Sequence, residues 1–183
     1  MDACVIIAFE RDPGRHPLKH LARALCGEQV RAELVIRGSR AQVVTYCARL
    51  FHCFGAGVYS DPKHYTGKTH DLFLIDRLSN EDVERISRTC MACAHKRIPY
   101  NVHDMMLAGT MAPTFHNNPQ PDPSDVFSAE SLFCAQSVVL ILRACLPRSH
   151  PLALALAATN SRSVTPPSLY TLVQPLCTRI ERV

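Results

Sequence analysis

Cys134 is the residue of this sequence best placed to act as a nucleophile. It stands in Leu132-Phe133-Cys134-Ala135-Gln136-Ser137, near the start of a segment whose apolar residues recur at helical spacing. With Ser131 rather than Ser128 as the N-cap, the thiol falls in the first helical turn. There the unpaired backbone N–H groups and the helix dipole favour a thiolate by ~0.3–1 kcal/mol. The competing reading makes Cys134 a small buried hydrophobe, like most of the nine cysteines of the chain. A second group of thiols, Cys90-Met91-Ala92-Cys93 followed by His95, has the spacing of half a zinc site. Cys47 with Cys53 or His52 is the conceivable other half. Four ligands must converge on one centre, and no second C-x-x-C completes the set. Cys90 and Cys93 also fit the apolar stripe of a helix, so core packing is expected and no metal. A reactive C-x-x-C belongs at a helix N-terminus, whereas this one lies near a C-terminal end.

The elements that must position Cys134 follow from periodicity. Residues 3–9 form an apolar run with strand character, and residues 17–25 a short helix with Leu18, Leu21, Ala22 and Leu25 at helical spacing. Strands follow at 30–36, at 42–46 with an extension toward 54, and at 71–75. Gly38-Ser39 marks one turn, and Gly55 with Gly57 a later one. Ser79 caps a helix whose first turn carries Glu81 and Asp82. Its stripe is Val83, Ile86, Cys90 and Cys93 or Ala94, ending at His95. A second long helix is expected over 129–145, with Leu132, Val138, Val139, Leu142 and Cys145 on its apolar face and Pro147 as its stop. The Pro-rich stretch 113–123 is a surface loop, and residues 152–158 suit a buried helix. Thr165-Pro166-Pro167-Ser168-Leu169-Tyr170 is an N-cap with proline at the first helical position. Strands first and mostly helices after make an α+β pattern in a single domain over 1–183.

The run Ser128-Ala-Glu-Ser-Leu-Phe-Cys-Ala-Gln-Ser-Val-Val resembles the "(Y/F)-C-S-(E/Q)-(L/F)-V" nucleophile helix of circularly permuted NlpC-like papain-fold proteins. These are relatives of lecithin retinol acyltransferase-type enzymes, with versions in poxviruses and other large DNA viruses. Three further segments follow the family's order. Residues 78–86 through His95-Lys-Arg-Ile-Pro-Tyr-Asn101 resemble its helix ending in "G-x-P-Y-(D/N)". Thr165-Pro-Pro-Ser-Leu-Tyr resembles "T-P-x-x-L-(Y)", and Cys26-Gly27 to Val35 resembles the early "T-G-x-x-x-S-H-(V)-E-(L/I)-V" strand.

The resemblance implies a small antiparallel β-sheet or half-barrel packed on the Cys134 helix, flanked by helices over 80–95 and 168–173. It also implies a thiol hydrolase or acyl transferase that acts on an amide or ester through a Cys134 thioester. In the family a histidine on the early strand is the general base, oriented by a third polar group. Glu33 matches the family's "E", and two residues before it stands Arg31, not histidine. Arginine accepts no proton at ordinary pH, so it cannot shuttle one to a leaving group. Two readings stand. In one the base has moved, with His52 the leading substitute ahead of His20 and His103, which makes the catalytic set Cys134, His52 and Glu33. In the other the chain is a catalytically inactive pseudoenzyme serving as a viral structural or protein-binding module. Arg31 and Glu33, two apart on one strand face, then form an ordinary ion pair. Tyr100 and Asn101 fix the exit direction of the chain after Pro99, and His103 and Asp104 follow them.

Composition narrows the classes. The chain has 183 residues and 20.4 kDa, with 47% hydrophobic and 20% charged residues, enough for one globular core. Lys+Arg 20 against Asp+Glu 16 leaves a net +4, and the basic residues are scattered, so no nucleic-acid partner is expected. An odd number of unevenly spaced cysteines, with no signal-peptide pattern, indicates a reducing compartment: the cytoplasm, or a host cell or virion for a viral protein. No segment reaches the roughly 20 apolar residues of a membrane span. The sequence has no Gly-rich phosphate loop, Walker-type lysine or nucleophile elbow, and no cofactor is expected. The partner is an amide or ester substrate or another protein, with the oligomeric state open.

Overall fold

β1 (Cys4–Glu10) carries Cys-Val-Ile-Ile-Ala-Phe-Glu, apolar on both of its faces, which suits a strand covered on two sides. The computed structural model describes residues 3–11, 20, 23–24, 28–29, 31–38, 43–49, 55–59, 69–96, 98–101, 103, 105 and 126–181. It places β1 inside a six-stranded sheet of order β4-β3-β2-β1-β5-β6. The other strands are β2 (Arg31–Arg37), β3 (Val43–Arg49), β4 (Gly55–Tyr59), β5 (His70–Leu74) and β6 (Thr178–Ile180). Every neighbouring pair is antiparallel, and the sheet is open, with β4 and β6 at its edges.

Strand alternation sorts the side chains. Val5, Ile7, Phe9, Ala32, Leu34, Ile36, Tyr46 and Phe73 join the main core with the helices. Ile6, Ala8, Val35 and Leu72 form a smaller cluster on the other face. Register puts Glu10 opposite Arg31 on one side and His70 on the other, in line with that second cluster.

Among the described residues four α-helices contribute to that main core: α1 (Asn80–Lys96), α2 (Cys134–Cys145), α3 (Pro151–Ala157) and α4 (Pro166–Val173), with a 3-10 turn at Ser161–Ser163. α2 packs on β2 and β3 and against α1 and α3. Its sequence, Cys-Ala-Gln-Ser-Val-Val-Leu-Ile-Leu-Arg-Ala-Cys, is buried except at Arg143 and Ala144. A helix enclosed on nearly all sides has no need of a charged face. The fold is therefore α+β with helices laid on an antiparallel sheet. Among the described residues no helix is long and apolar enough to cross a membrane.

Side chains close the starts of α1, α3 and α4. Ser79 Oγ accepts from Asp82 N at 3.1 Å, and Asp82 Oδ2 accepts from Ser79 N at 3.0 Å. Thr165 and Ser168 repeat this reciprocal arrangement at 3.2 and 2.9 Å. Thr165→Ala is expected to lower stability by about 1 kcal/mol, read as a lower urea midpoint at unchanged slope. His150 caps α3: its Nδ1 accepts from Leu152 N at 3.1 Å, so Nε2 carries the proton and donates to the Asp76 carbonyl at 3.0 Å.

Two expectations need correction. α2 begins at Cys134 rather than near 129, because residues 131–132 are held extended by another segment, described below. Gly55 and Gly57 lie within strand β4, not in a turn, paired with Arg49 and Cys47. α1 lies beside β4, and glycine permits that close backbone approach. The strand expected at 42–46 continues to Arg49, and the rest of its expected extension, residues 50–54, lies outside the described residues. β6 was not anticipated, being three residues long and mostly exposed. The proline-rich stretch 113–123 and most of the helix expected at 17–25 lie outside the described residues.

Candidate functional site

Cys134 is the first residue of α2, and Phe133 before it is the N-cap, extended at φ −107° and ψ 171° with no side-chain cap. The extension has a non-local cause. Leu132 N donates to Pro99 O at 2.9 Å, Asn101 N donates to Leu132 O at 3.0 Å, and Tyr100 and Leu132 form a parallel bridge. Asn101 Nδ2 donates to Ser131 Oγ at 2.9 Å. With Leu132 bonded on both its N–H and its carbonyl to residues 99–101, the helix starts only after Phe133. Neither Ser128 nor Ser131 is its cap.

The sulfur is sealed, with Cys134 2% exposed. Burial pushes its thiol above the ordinary value. Four groups oppose that without overcoming it: the backbone N–H of Ala32 on β2, the Tyr100 hydroxyl, the positive charge of Arg31, and the N–H of Ala135. The Tyr100 hydroxyl is itself pushed well up by burial and then by Cys134, and it accepts from the Cys134 backbone N–H. It donates to Met105 Sδ at 3.2 Å. A phenol held protonated is a donor, not a base. Every one of these groups thus offers the sulfur a proton-bearing nitrogen or oxygen, or a positive charge.

Arg31 opens β2 and is pinned by two carboxylates. Its Nε lies 2.7 Å from Glu33 Oε1 on its own strand, and its Nη2 lies 2.7 Å from Glu10 Oε2 on β1. Glu33 is 1% exposed and Glu10 9%. Arg31 and Glu33 lie on the face of β2 opposite Ala32 and Leu34, because they alternate with them. Arg31 therefore acts on Cys134 by its charge while its fork is engaged across the sheet.

Of the residues singled out by sequence, the structure brings Cys134 and Arg31 into one neighbourhood and ties Glu33 to Arg31. His52 lies outside the described residues. His20 and His103 are exposed. Cys90 and Cys93 are buried in the main core. Cys145 joins them, its Sγ bonded to Thr89 Oγ1 at 3.2 Å. Burial, then Cys93 and Cys145, push the Cys90 thiol well up, which suits core packing. His95 is exposed, with Nδ1 3.0 Å from Met91 O. Among the described residues no group of histidine, cysteine and carboxylate side chains is arranged to hold a metal ion.

No protein-family model, curated protein or solved structure matches the chain.

Sequence reasoning passed over two members of this site. Tyr100 was noticed only as part of a helix exit, and nothing local shows that its hydroxyl reaches Cys134. Glu10 ends an apolar strand with a carboxylate, and its burial was the available signal: a charge closing a run of core residues needs a partner.

Proposed function

We propose that this chain is a catalytically silent relative of the permuted NlpC-like papain-fold hydrolases, serving as a protein-binding or structural module. The observation that carries this reading is what surrounds the Cys134 sulfur: two backbone N–H groups, a protonated phenol and, acting by its charge from the other face of β2, the Arg31 guanidinium. Thioester chemistry requires a proton acceptor within hydrogen-bond reach of the thiol, since an unassisted cysteine is mostly neutral at neutral pH. None of these groups can take the proton. Burial holds it on the sulfur, and Arg31, at the position the family resemblance gives to the base, is committed to Glu33 and Glu10. A module of this kind, as in large DNA viruses, works inside a host cell or virion.

The same donors favour a second reading. They would stabilise a thiolate once one formed, so an active thiol hydrolase or acyl transferase results if His52 supplies the base. Two measurements separate the readings. With iodoacetamide near pH 6, the silent protein is expected to alkylate half-exposed Cys4 before Cys134. With an activated ester it is expected to give no acyl adduct on Cys134 by mass spectrometry. Rapid labelling confined to Cys134, or an acyl adduct that His52→Ala abolishes, overturns the silent reading in favour of the hydrolase.

A further inference from the structure

We propose that the outer face of α3, with the arginines at its two ends, is a docking site for an acidic amphipathic helix of a partner protein. α3 reads Pro-Leu-Ala-Leu-Ala-Leu-Ala, without one polar side chain. Leu152 and Leu156 are fully buried in the main core. Leu154 is 62% exposed, and Pro151, Ala157 and Ala158 are exposed around it. A surface helix ordinarily turns polar residues to water, whereas this one turns hydrocarbon. The small residues beside Leu154 let a second helix lie close along it. The surroundings are positive: from Ser131 to Ile180 the chain has arginines at 143, 148, 162 and 179 and neither aspartate nor glutamate. Arg148 stands in the turn before α3, Arg162 in the 3-10 turn after it, and Arg143 Nε donates to the Leu156 carbonyl at 2.8 Å. Arg31, Arg85 and Arg179 each hold a carboxylate of the chain, but among the described residues no carboxylate pairs with Arg148 or Arg162. Asp76 is tied to this corner through its carbonyl, which accepts from His150 Nε2, and its carboxylate already accepts from Thr178 Oγ1 at 2.7 Å. Hydrocarbon between unanswered guanidinium groups is complementary to a helix with leucines on one face and carboxylates beside them. An anionic bilayer offers the same charge, but a single open leucine among small residues buries too little hydrocarbon to hold a protein on lipid. The inference rests on the protein-binding reading and names the chemistry of the partner.

The test uses the full chain and a fluorescent peptide of about 20 residues, long enough to hold a helix, with leucines on one face and glutamates flanking them. The protein is expected to bind it, to bind a scrambled peptide of the same composition about tenfold more weakly, and to lose affinity as salt rises. Amide shifts of the isotope-labelled protein are expected to centre on residues 148–162. Leu154→Gln, at an exposed helix position, is not expected to unfold the chain. It should weaken binding about tenfold, the loss of one leucine from the contact. Arg148→Gln should weaken it about threefold and flatten the salt dependence, as for one exposed charge pair. Equal binding of the two peptides overturns the proposal, as does an affinity unchanged in both variants. Flotation with phosphatidylserine vesicles that Leu154→Gln abolishes also overturns it, assigning the face to a membrane. Whether Cys134 is silent is read from its own alkylation and acylation, which Leu154→Gln is expected to leave unchanged, so failure here and failure of that reading are told apart.

Discussion

Replacing Arg31 by methionine is expected to destabilise the fold by about 3–5 kcal/mol, because it removes one guanidinium from between two buried carboxylates. Glu33 and Glu10, at 1% and 9% exposure, each lie 2.7 Å from an Arg31 nitrogen. The loss comes mainly from what stays behind, two carboxylates out of water without their cation, and only in small part from the ion pairs themselves. Guanidinium denaturation of Arg31→Met reads the deficit. The triple variant Arg31→Met, Glu10→Gln, Glu33→Gln removes the stranded charges and is expected to recover most of it. If Arg31→Met alone costs less than about 1 kcal/mol, in the range of exposed pairs, the site is wetter than its burial indicates.

Phe9→Ala is expected to cost about 3–5 kcal/mol. Phe9 is fully buried and meets Phe73 and Tyr170 edge-on, with centroids 5.9 and 5.4 Å away. Phe73 and Tyr170 close the triangle at 5.3 Å. Three rings from β1, β5 and α4 thus lock the sheet to the last helix, and each edge-to-face pair adds about 0.5–1.5 kcal/mol beyond the area buried. Phe9→Leu keeps most of the volume and is expected to cost well under half as much. Phe127→Ala is the control: at 43% exposure it should stay within about 0.5 kcal/mol of the parent. A Phe9→Ala loss no larger than that of Phe127→Ala would show that the ring cluster does not join the two layers.

What was legible in the sequence was local. β1, β2 and β5 lie within one residue of their expected limits, since apolar strands and the turns between them announce themselves at short range. α1 starts at Asn80 behind Ser79, and α4 starts behind Thr165, because a cap is decided by three neighbouring residues. The Arg31–Glu33 pair was legible for the same reason: residues two apart on a strand share a face. What escaped was set by distant parts of the chain. The start of α2 depends on residues 99–101, far earlier in the chain, which take the backbone groups of Leu132. Glu10 enters the site only because β1 pairs with β2 in one register, and Tyr100 only because residues 99–101 pair with Leu132 just before α2. Gly55–Tyr59 read as punctuation until a neighbouring strand and helix gave its glycines a reason.

A strand apolar on both sides has a hidden weakness: sliding it along its neighbour by two positions still sets hydrocarbon against hydrocarbon. In β1 and β2 the charges remove that ambiguity. Shifted so, Glu10 would lose Arg31 and confront Glu33, carboxylate against carboxylate in a place without water. The ions beneath the sheet thus serve as an alignment mark, telling two otherwise interchangeable greasy ribbons where to stop.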